Sequence, residues 1–137
     1  MINAETSRTY AKSSCYPVSI AVFLLHHSRN RTSHILPGID DGSRNLEQSI
    51  AMVNEAKEAG FTKIISTSHY MENYYECNEK NRKELLEQVQ KNVNGIELCL
   101  GNEIYITNNI IELLQNGQAS SINGTKYVLF EFPLITT

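Results

Sequence analysis

From Ser33 onward, short apolar runs alternate with longer segments of helical periodicity. The apolar runs predict β-strands and the longer segments predict α-helices, because the two patterns match the side-chain repeats of those structures. Repeated strand–helix–strand units join parallel strands through right-handed crossovers. The sequence therefore predicts an α/β fold built on a parallel sheet. The predicted strands are one near Ser33 and the runs 63–67, 96–100 and 127–132.

The three predicted helices carry start and stop signals. Asn45 and Gln48 have the spacing of a capping box, in which side chains satisfy the free backbone N–H groups of a helix start. Glycine after the last apolar position is typical of a helix end. The first helix is expected to end at Gly60. The second is expected to cover residues 79–93, with Gly95 as its C-terminal cap. The third is expected to begin at Thr107 or Asn108 and to end at Gly117.

Metal-capable side chains follow three of the predicted strands. The stretch Ser-His-Ile-Leu-Pro-Gly-Ile-Asp-Asp-Gly at 33–42 contains His34 and Asp41, while His69 and Glu103 follow two later strands. Functional groups gather at the carboxyl ends of parallel strands, so we expect these side chains to meet. Imidazole and carboxylate together suit manganese, iron or zinc. Two metals about 3.5–4 Å apart can clamp a phosphoryl group, and the pattern predicts a multi-metal hydrolase site.

Each of these residues taken alone has a more ordinary interpretation. A single histidine such as His69 is more often a surface or hydrogen-bonding residue, and Asp-Asp-Gly at 40–42 is typical of a loop entering a helix. A lone Glu103 would most often be solvated. The neighbours Tyr74 and Tyr75 are either a substrate-facing pair or loop-packing side chains, of which packing is the more frequent. The agreement of three separate segments favours the metal site.

The composition argues against several other functions. The 137 residues carry 12 Lys and Arg against 15 Asp and Glu, a net charge of -3, which gives no reason to expect nucleic-acid binding. The apolar segment 18–25 is far shorter than the roughly 20 residues needed to span a bilayer, so we expect no membrane insertion. The three cysteines are odd in number and far apart and support no disulfide framework, so we expect a reducing, cytoplasmic location. Cys15, Cys77 and Cys99 form no Cys-x-x-Cys pair, which argues against a zinc knuckle. None of them has an arginine six residues later, which argues against a cysteine-based phosphatase. The sequence has no G-x-x-x-x-G-K-[ST] loop, which argues against a nucleotide triphosphatase.

Further motifs extend the pattern over most of the chain. Besides the stretch 33–42, they are Glu-Gln-Ser at 47–49, Ile-Ile-Ser-Thr-Ser-His at 64–69, Gly-Asn-Glu-Ile-Tyr at 101–105 and Tyr-Val-Leu-Phe-Glu-Phe-Pro at 127–133. With these segments the sequence resembles the PHP superfamily (polymerase and histidinol phosphatase). It resembles most closely the bacterial metal-dependent protein-tyrosine phosphatases of capsule and exopolysaccharide operons, from about residue 33 to residue 134.

This resemblance implies the first half of a distorted, TIM-like β/α barrel with a trinuclear, usually manganese, site. By resemblance, His34, Asp41, His69 and Glu103 are metal ligands, and Glu103 bridges two metals. The implied substrate is the phosphotyrosine tail of a bacterial tyrosine kinase that controls polysaccharide export. The alternatives are a histidinol-phosphatase-like phosphoesterase of the same superfamily and an inactive fragment without a catalytic role.

The sequence departs from the family pattern at both ends. Thr32 stands where the family has the first histidine of a His-x-His pair, and residues 1–31 match nothing in the family. The family's later histidine with its nearby arginine and its terminal Asp-x-His have no counterpart, so no catalytic residue is assigned. We therefore expect a poorly ordered segment over 1–31, a truncated phosphatase domain over 32–137, and self-association through an open sheet edge.

Overall fold

The computed structural model of the protein describes residues 30–132. Strands and helices alternate along this part of the chain, as the sequence predicts. A short 3₁₀ turn, Ile122–Gly124, precedes the last strand. The elements are β1 (Asn30–Ser33), α1 (Leu46–Glu58), β2 (Lys63–Tyr70), α2 (Glu79–Lys91), β3 (Glu97–Tyr105), α3 (Ile110–Gln115) and β4 (Leu129–Glu131).

The strands form one parallel sheet in the order β1-β2-β3-β4. The longest ladder joins β2 and β3, from the pair Lys63–Glu97 to the pair Tyr70–Ile104. β4 pairs only with the last three residues of β3. The predicted α/β class with parallel strands is confirmed, and the carboxyl ends of the strands lie at one end of the sheet.

The predicted start of α1 at Asn45 is confirmed, although the return bond of the capping box comes from Arg44 rather than from Asn45 itself. The backbone N–H of Gln48 donates to Asn45 Oδ1 over 2.9 Å, and the Gln48 side chain accepts from the backbone N–H of Arg44 over 2.8 Å. α1 ends just before Gly60, whose φ of 90° is readily adopted only by glycine. These contacts fix where the chain turns from the site loop into the helix.

Apolar side chains pack the helices onto one face of the sheet. Ile64 on β2 and Leu98 on β3 join a buried cluster with Val53 of α1 and Val89 of α2. Since side chains alternate along a strand, odd-numbered residues of β2 and β3 face away from these helices. This alternation leaves the second face of the sheet for His69 and Glu103. A second buried cluster, under α3, contains Tyr70, Ile104, Leu113 and Ala119.

The two central strands extend further than their apolar runs predict. β2 ends one residue beyond His69, and β3 ends two residues beyond Glu103. The prediction that these residues follow the strands was therefore wrong. The cause is that backbone pairing of β2 with β3 continues through these polar residues, and Asn102 Nδ2 adds a hydrogen bond to the backbone oxygen of Ser68 over 2.9 Å.

The last helix and the last strand also differ in their limits. α3 is preceded by Asn109 as its cap residue, rather than by Thr107 or Asn108. The Thr107 hydroxyl instead hydrogen-bonds the Asn109 side chain over 2.7 Å. β4 covers Leu129–Glu131 rather than the full run 127–132, because β3 provides partners for only those three residues.

Some predictions fall outside the described residues. They concern the order of residues 1–29, the apolar run 18–25 and Cys15. β1 already begins at Asn30, and the domain boundary between residues 31 and 32 stays a prediction. Within residues 30–132, no helix has both the length and the apolar character that crossing a membrane requires.

Candidate metal centre

Three of the four predicted ligands meet at the carboxyl ends of the first three strands. His34 follows β1, while His69 and Glu103 are direct neighbours across β2 and β3. His34 Nε2 lies 3.1 Å from Glu103 Oε2, and His69 Nδ1 lies 3.8 Å from the same oxygen. The two imidazole rings meet edge-on with centroids 4.5 Å apart. Glu103 is 3% exposed, so the solvated alternative for this residue is wrong.

Asp41, the fourth predicted ligand, closes the group from the loop before α1. Its Oδ1 lies 3.3 Å from His69 Nε2 and 3.5 Å from His34 Nδ1. Its side chain is 53% exposed, in contrast to Glu103. The structure therefore brings together all four residues that the sequence selected, with Asp41 at the solvent side.

Asp40 belongs to the same group, although the sequence did not single it out. Its side chain is fully buried, and Oδ2 lies 3.2 Å from His34 Nδ1. The backbone N–H of His69 donates to Oδ2 over 2.9 Å, and that of Gly42 donates to Oδ1 over 3.0 Å. The Asp-Asp doublet was visible in the sequence, but the resemblance assigned a role only to Asp41.

Glu131 is the second residue that sequence reasoning missed. It lies on β4, and its Oε2 is 3.2 Å from His69 Nδ1. The available signal was a single carboxylate inside the apolar run 127–132. This carboxylate can be assigned to the site only when the pairing of β3 with β4 is known, because that pairing places Glu131 beside Tyr105.

The cluster holds more negative than positive charge. Four carboxylates, those of Asp40, Asp41, Glu103 and Glu131, surround the rings of two histidines. Burial lowers the pKa of His34, but hydrogen bonds to Asp40 and Glu103 and their charges outweigh it, and raise that pKa from 6.5 to about 10. Burial disfavours the charged carboxylate and would raise the pKa of Asp40, but the hydrogen bond from His34 and its charge hold that pKa below its usual value. The surplus of carboxylate charge favours a bound cation.

The donor set fits divalent metal ions. Among the described residues, His34, His69 and Glu103 form one group that could hold a cation, and His34, Asp40 and Asp41 form another. Within each group the donor atoms lie within 4.8 Å of one another. Mixed imidazole and carboxylate donors suit manganese, iron or zinc, as the sequence predicts. Metal ligation by these residues is argued below as a proposal.

Comparisons with known proteins support a common origin for this arrangement. Residues 30–137 match the family model described as capsular polysaccharide synthesis, CpsB/CapC. The chain is 32% identical over 109 residues to tyrosine-protein phosphatase CpsB of Streptococcus agalactiae, covering 77% of the chain and 45% of that protein. It is 35% identical over 104 residues to tyrosine-protein phosphatase YwqE of Bacillus subtilis, covering 73% and 41% respectively.

A solved structure agrees with the fold as well. A chain from the crystal structures of YwqE from Bacillus subtilis and CpsB from Streptococcus pneumoniae, metal-dependent tyrosine phosphatases, superposes with a TM-score of 0.70 at 33% identity. The match covers 74% of this chain and 43% of the other. The predicted partial β/α barrel and the predicted resemblance are thereby confirmed. The chain spans less than half the length of these relatives.

Proposed function

Because the chain belongs to the CpsB/CapC family of capsular polysaccharide synthesis, we propose that it acts in metal-dependent hydrolysis of protein phosphotyrosine. The observation that carries this proposal is the meeting of His34, His69 and Glu103 at one end of the sheet. The relatives described above are named tyrosine-protein phosphatases, which favours this activity over the histidinol-phosphatase-like alternative.

The proposed metal is Mn²⁺, held by His34, Asp41, His69 and Glu103. Glu131 lies close enough to His69 to take part. When bound, such a cation supplies Lewis acidity toward a phosphoryl group and acidifies water. The protein's own contribution is to gather these donors from separate strands and loops into one rigid group.

Asp40 is proposed to orient the ligands rather than to bind the substrate. Its carboxylate lies 3.2 Å from His34 Nδ1 and so favours the tautomer protonated at Nδ1, which leaves Nε2, on the Glu103 side, free to bind a metal. The same carboxylate accepts the backbone N–H of His69 and thus ties β2 to the site loop. Carboxylates placed behind ligand histidines in this way typically change metal affinity by about 10- to 100-fold.

The proposed substrate is the phosphotyrosine tail of a bacterial tyrosine kinase. The proposed location is the cytoplasm, because tyrosine phosphorylation requires ATP. The thiols of Cys77 and Cys99 are free, as is usual in a reducing compartment. Neither nucleic-acid binding nor membrane insertion is part of the proposal.

Self-association through the sheet edge is a separate expectation. Among residues 30–132, β4 has a strand neighbour only on its β3 side, and Phe132 just beyond it is 52% exposed. Unpaired strand edges template pairing with other chains, so we expect oligomers in light scattering after gel filtration. Phe132→Lys should reduce them, because a charge at an edge opposes pairing. A monodisperse wild-type monomer would contradict the expectation.

Metal titration followed by a hydrolysis assay tests the proposed function. In calorimetry we expect Mn²⁺ to bind the metal-stripped chain, and Glu103→Gln to weaken binding at least tenfold because one anionic donor is lost. Glu97→Gln is the matched control, since Glu97 lies on the same strand but pairs with Lys63 at the surface. Equal Mn²⁺ affinity of wild type and Glu103→Gln would overturn the proposed site.

The assay compares a phosphotyrosine peptide with histidinol phosphate. Mn²⁺-dependent hydrolysis of the peptide that His69→Ala abolishes supports the proposal. Preference for histidinol phosphate favours the phosphoesterase alternative. Mn²⁺ binding without hydrolysis of either substrate favours the alternative of a fragment without a catalytic role.

A further inference from the structure

A row of aromatic rings leads from the ligand cluster to the protein surface. The ring of Tyr75 stacks on the ring of His69, with centroids 5.6 Å apart and an interplanar angle of 16°. Tyr74 meets Tyr75 edge-on at 4.8 Å and 90°. Tyr74 is 71% exposed, more than any other large hydrophobic residue of the described chain. The row therefore begins at a proposed metal ligand and ends in solvent.

A well-bonded turn holds Tyr74 in this position. The backbone N–H groups of Tyr74 and Tyr75 both donate to the oxygen of Met71, over 3.0 and 2.8 Å, and Met71 N–H donates back to Tyr75 over 3.0 Å. Asn73 adopts a φ of 62°, a left-handed conformation that asparagine tolerates better than most residues. The Asn73 N–H donates to the Glu76 side chain over 2.7 Å. These hydrogen bonds fix the backbone of the turn, and with it the position from which the Tyr74 side chain extends into solvent.

The turn is also fixed to the rest of the fold. Glu72 accepts a hydrogen bond from Asn109 Nδ2 over 3.0 Å, at the start of α3. Packing on Tyr75 accounts for only part of the Tyr74 surface, because most of its side chain stays in water. Tyrosine combines an apolar ring with a polar hydroxyl group and is enriched at binding interfaces, and here two tyrosine rings continue from His69 to the surface.

We propose that Tyr74, supported by Tyr75, contacts the aromatic ring of phosphotyrosine while its phosphate group lies at the His34, His69 and Glu103 cluster. This inference rests on the proposed function and names a specificity residue within it. In phosphotyrosine the ring is bonded directly to the ester oxygen. When the phosphate lies at the cluster, the ring therefore lies within reach of the side chains that border the cluster, among them Tyr75 and Tyr74. Phosphoserine and phosphothreonine present no ring there. Tyr74 and Tyr75 thus favour aryl over alkyl phosphate esters.

The test uses two small probes that share a phosphate and differ in the ring. Phenyl phosphate and methyl phosphate are titrated into the Mn²⁺-loaded chain at a pH at which both are dianions, and released phosphate is assayed so that only intact ester is counted. We expect phenyl phosphate to bind about two- to tenfold more tightly, the range for one aromatic pair. Tyr74→Ala should abolish this preference and leave Mn²⁺ and methyl phosphate binding unchanged, whereas Tyr74→Phe should retain it.

Tyr127→Ala is the matched control, because Tyr127 is also an exposed tyrosine but lies beside Lys126, away from the turn. It should retain the full preference for phenyl phosphate. Equal binding of the two esters by wild type would overturn this inference and leave the proposed function intact. A Tyr74→Ala variant that loses both esters equally would overturn it in favour of a purely structural role. If the wild-type chain bound no Mn²⁺, or bound neither ester, the proposed function would be overturned, and this inference with it.

Discussion

Replacing Gly42 with alanine is expected to reduce the free energy of unfolding by about 3 kcal/mol and to weaken Mn²⁺ binding at least tenfold. A Cβ atom at this position would lie 2.3 Å from the His34 backbone oxygen and 2.5 Å from His34 Cβ. Neither atom can move away by a side-chain rotation. The backbone must therefore shift at the residue that the proposed site depends on.

The surrounding hydrogen bonds leave the site loop little room to absorb that shift. The backbone N–H of Ser43 donates to the same His34 oxygen over 3.1 Å, and the backbone N–H of Gly38 donates to the backbone oxygen of Ser43 over 2.8 Å. Gly42 N–H itself donates to Asp40 Oδ1. Displacing residue 42 therefore displaces both His34 and the carboxylate that orients it.

Urea unfolding and Mn²⁺ titration measure the two expected losses. Gly101→Ala is the matched control, since its added Cβ would first meet the flexible end of the Ile122 side chain, Cδ1, at 3.0 Å. We expect this control to lose about 1 kcal/mol or less, with its Mn²⁺ affinity retained. A Gly42→Ala variant with wild-type stability and Mn²⁺ affinity would show that the site loop is far softer than its contacts indicate.

The helices could be predicted from the sequence because their signals are local. Asn45 and Gln48 are three residues apart, and each makes its contact within the same helix turn. The ends of β2 and β3 could not be predicted in this way. They depend on pairing between strands and on partners such as the Asn102–Ser68 hydrogen bond, whose residues are 34 positions apart.

The candidate site shows the same division. The segments with His34, His69 and Glu103 were found because each follows or extends an apolar run. Asp40 was missed because nothing in the sequence distinguishes the buried member of the Asp-Asp doublet from the exposed one. Glu131 was missed because it reaches His69 only through the β3–β4 register.

Arg82 is the largest fully buried side chain in the described part of the chain, although it lies on the strongly polar helix α2. Its Nη1 donates to the backbone oxygens of Cys77 and Gln118, and its Nη2 donates to Ser120 Oγ over 2.6 Å. Burial lowers the pKa of Arg82, although neighbouring Cys77, Glu79 and Tyr70 oppose the shift. Its role is to join the start of α2 to the segment after α3.

This arginine is also linked to the strands that carry the site. The backbone N–H of Ser120 donates to Asn102 Oδ1 over 2.8 Å, and Asn102 Nδ2 donates to the Ser68 oxygen over 2.9 Å. Asn102 and Ser68 directly precede Glu103 and His69. A continuous set of partly or fully buried hydrogen bonds therefore runs from Arg82 to the backbone beside two proposed ligands.

We expect Arg82→Ala to reduce the free energy of unfolding by about 3 kcal/mol, because it removes three hydrogen bonds and leaves a cavity where the fully buried side chain lay. Arg82→Lys should fall in between, since one ammonium group cannot reproduce the planar fork of guanidinium donors. Lys83→Ala is the matched control: Lys83 is the next residue, but it is exposed and pairs with Glu79, so its loss should stay near 0.5 kcal/mol. Urea unfolding of the three variants gives the comparison. If Arg82→Ala were no less stable than Lys83→Ala, the buried guanidinium would contribute nothing net, with the relief of its desolvation offsetting every hydrogen bond lost.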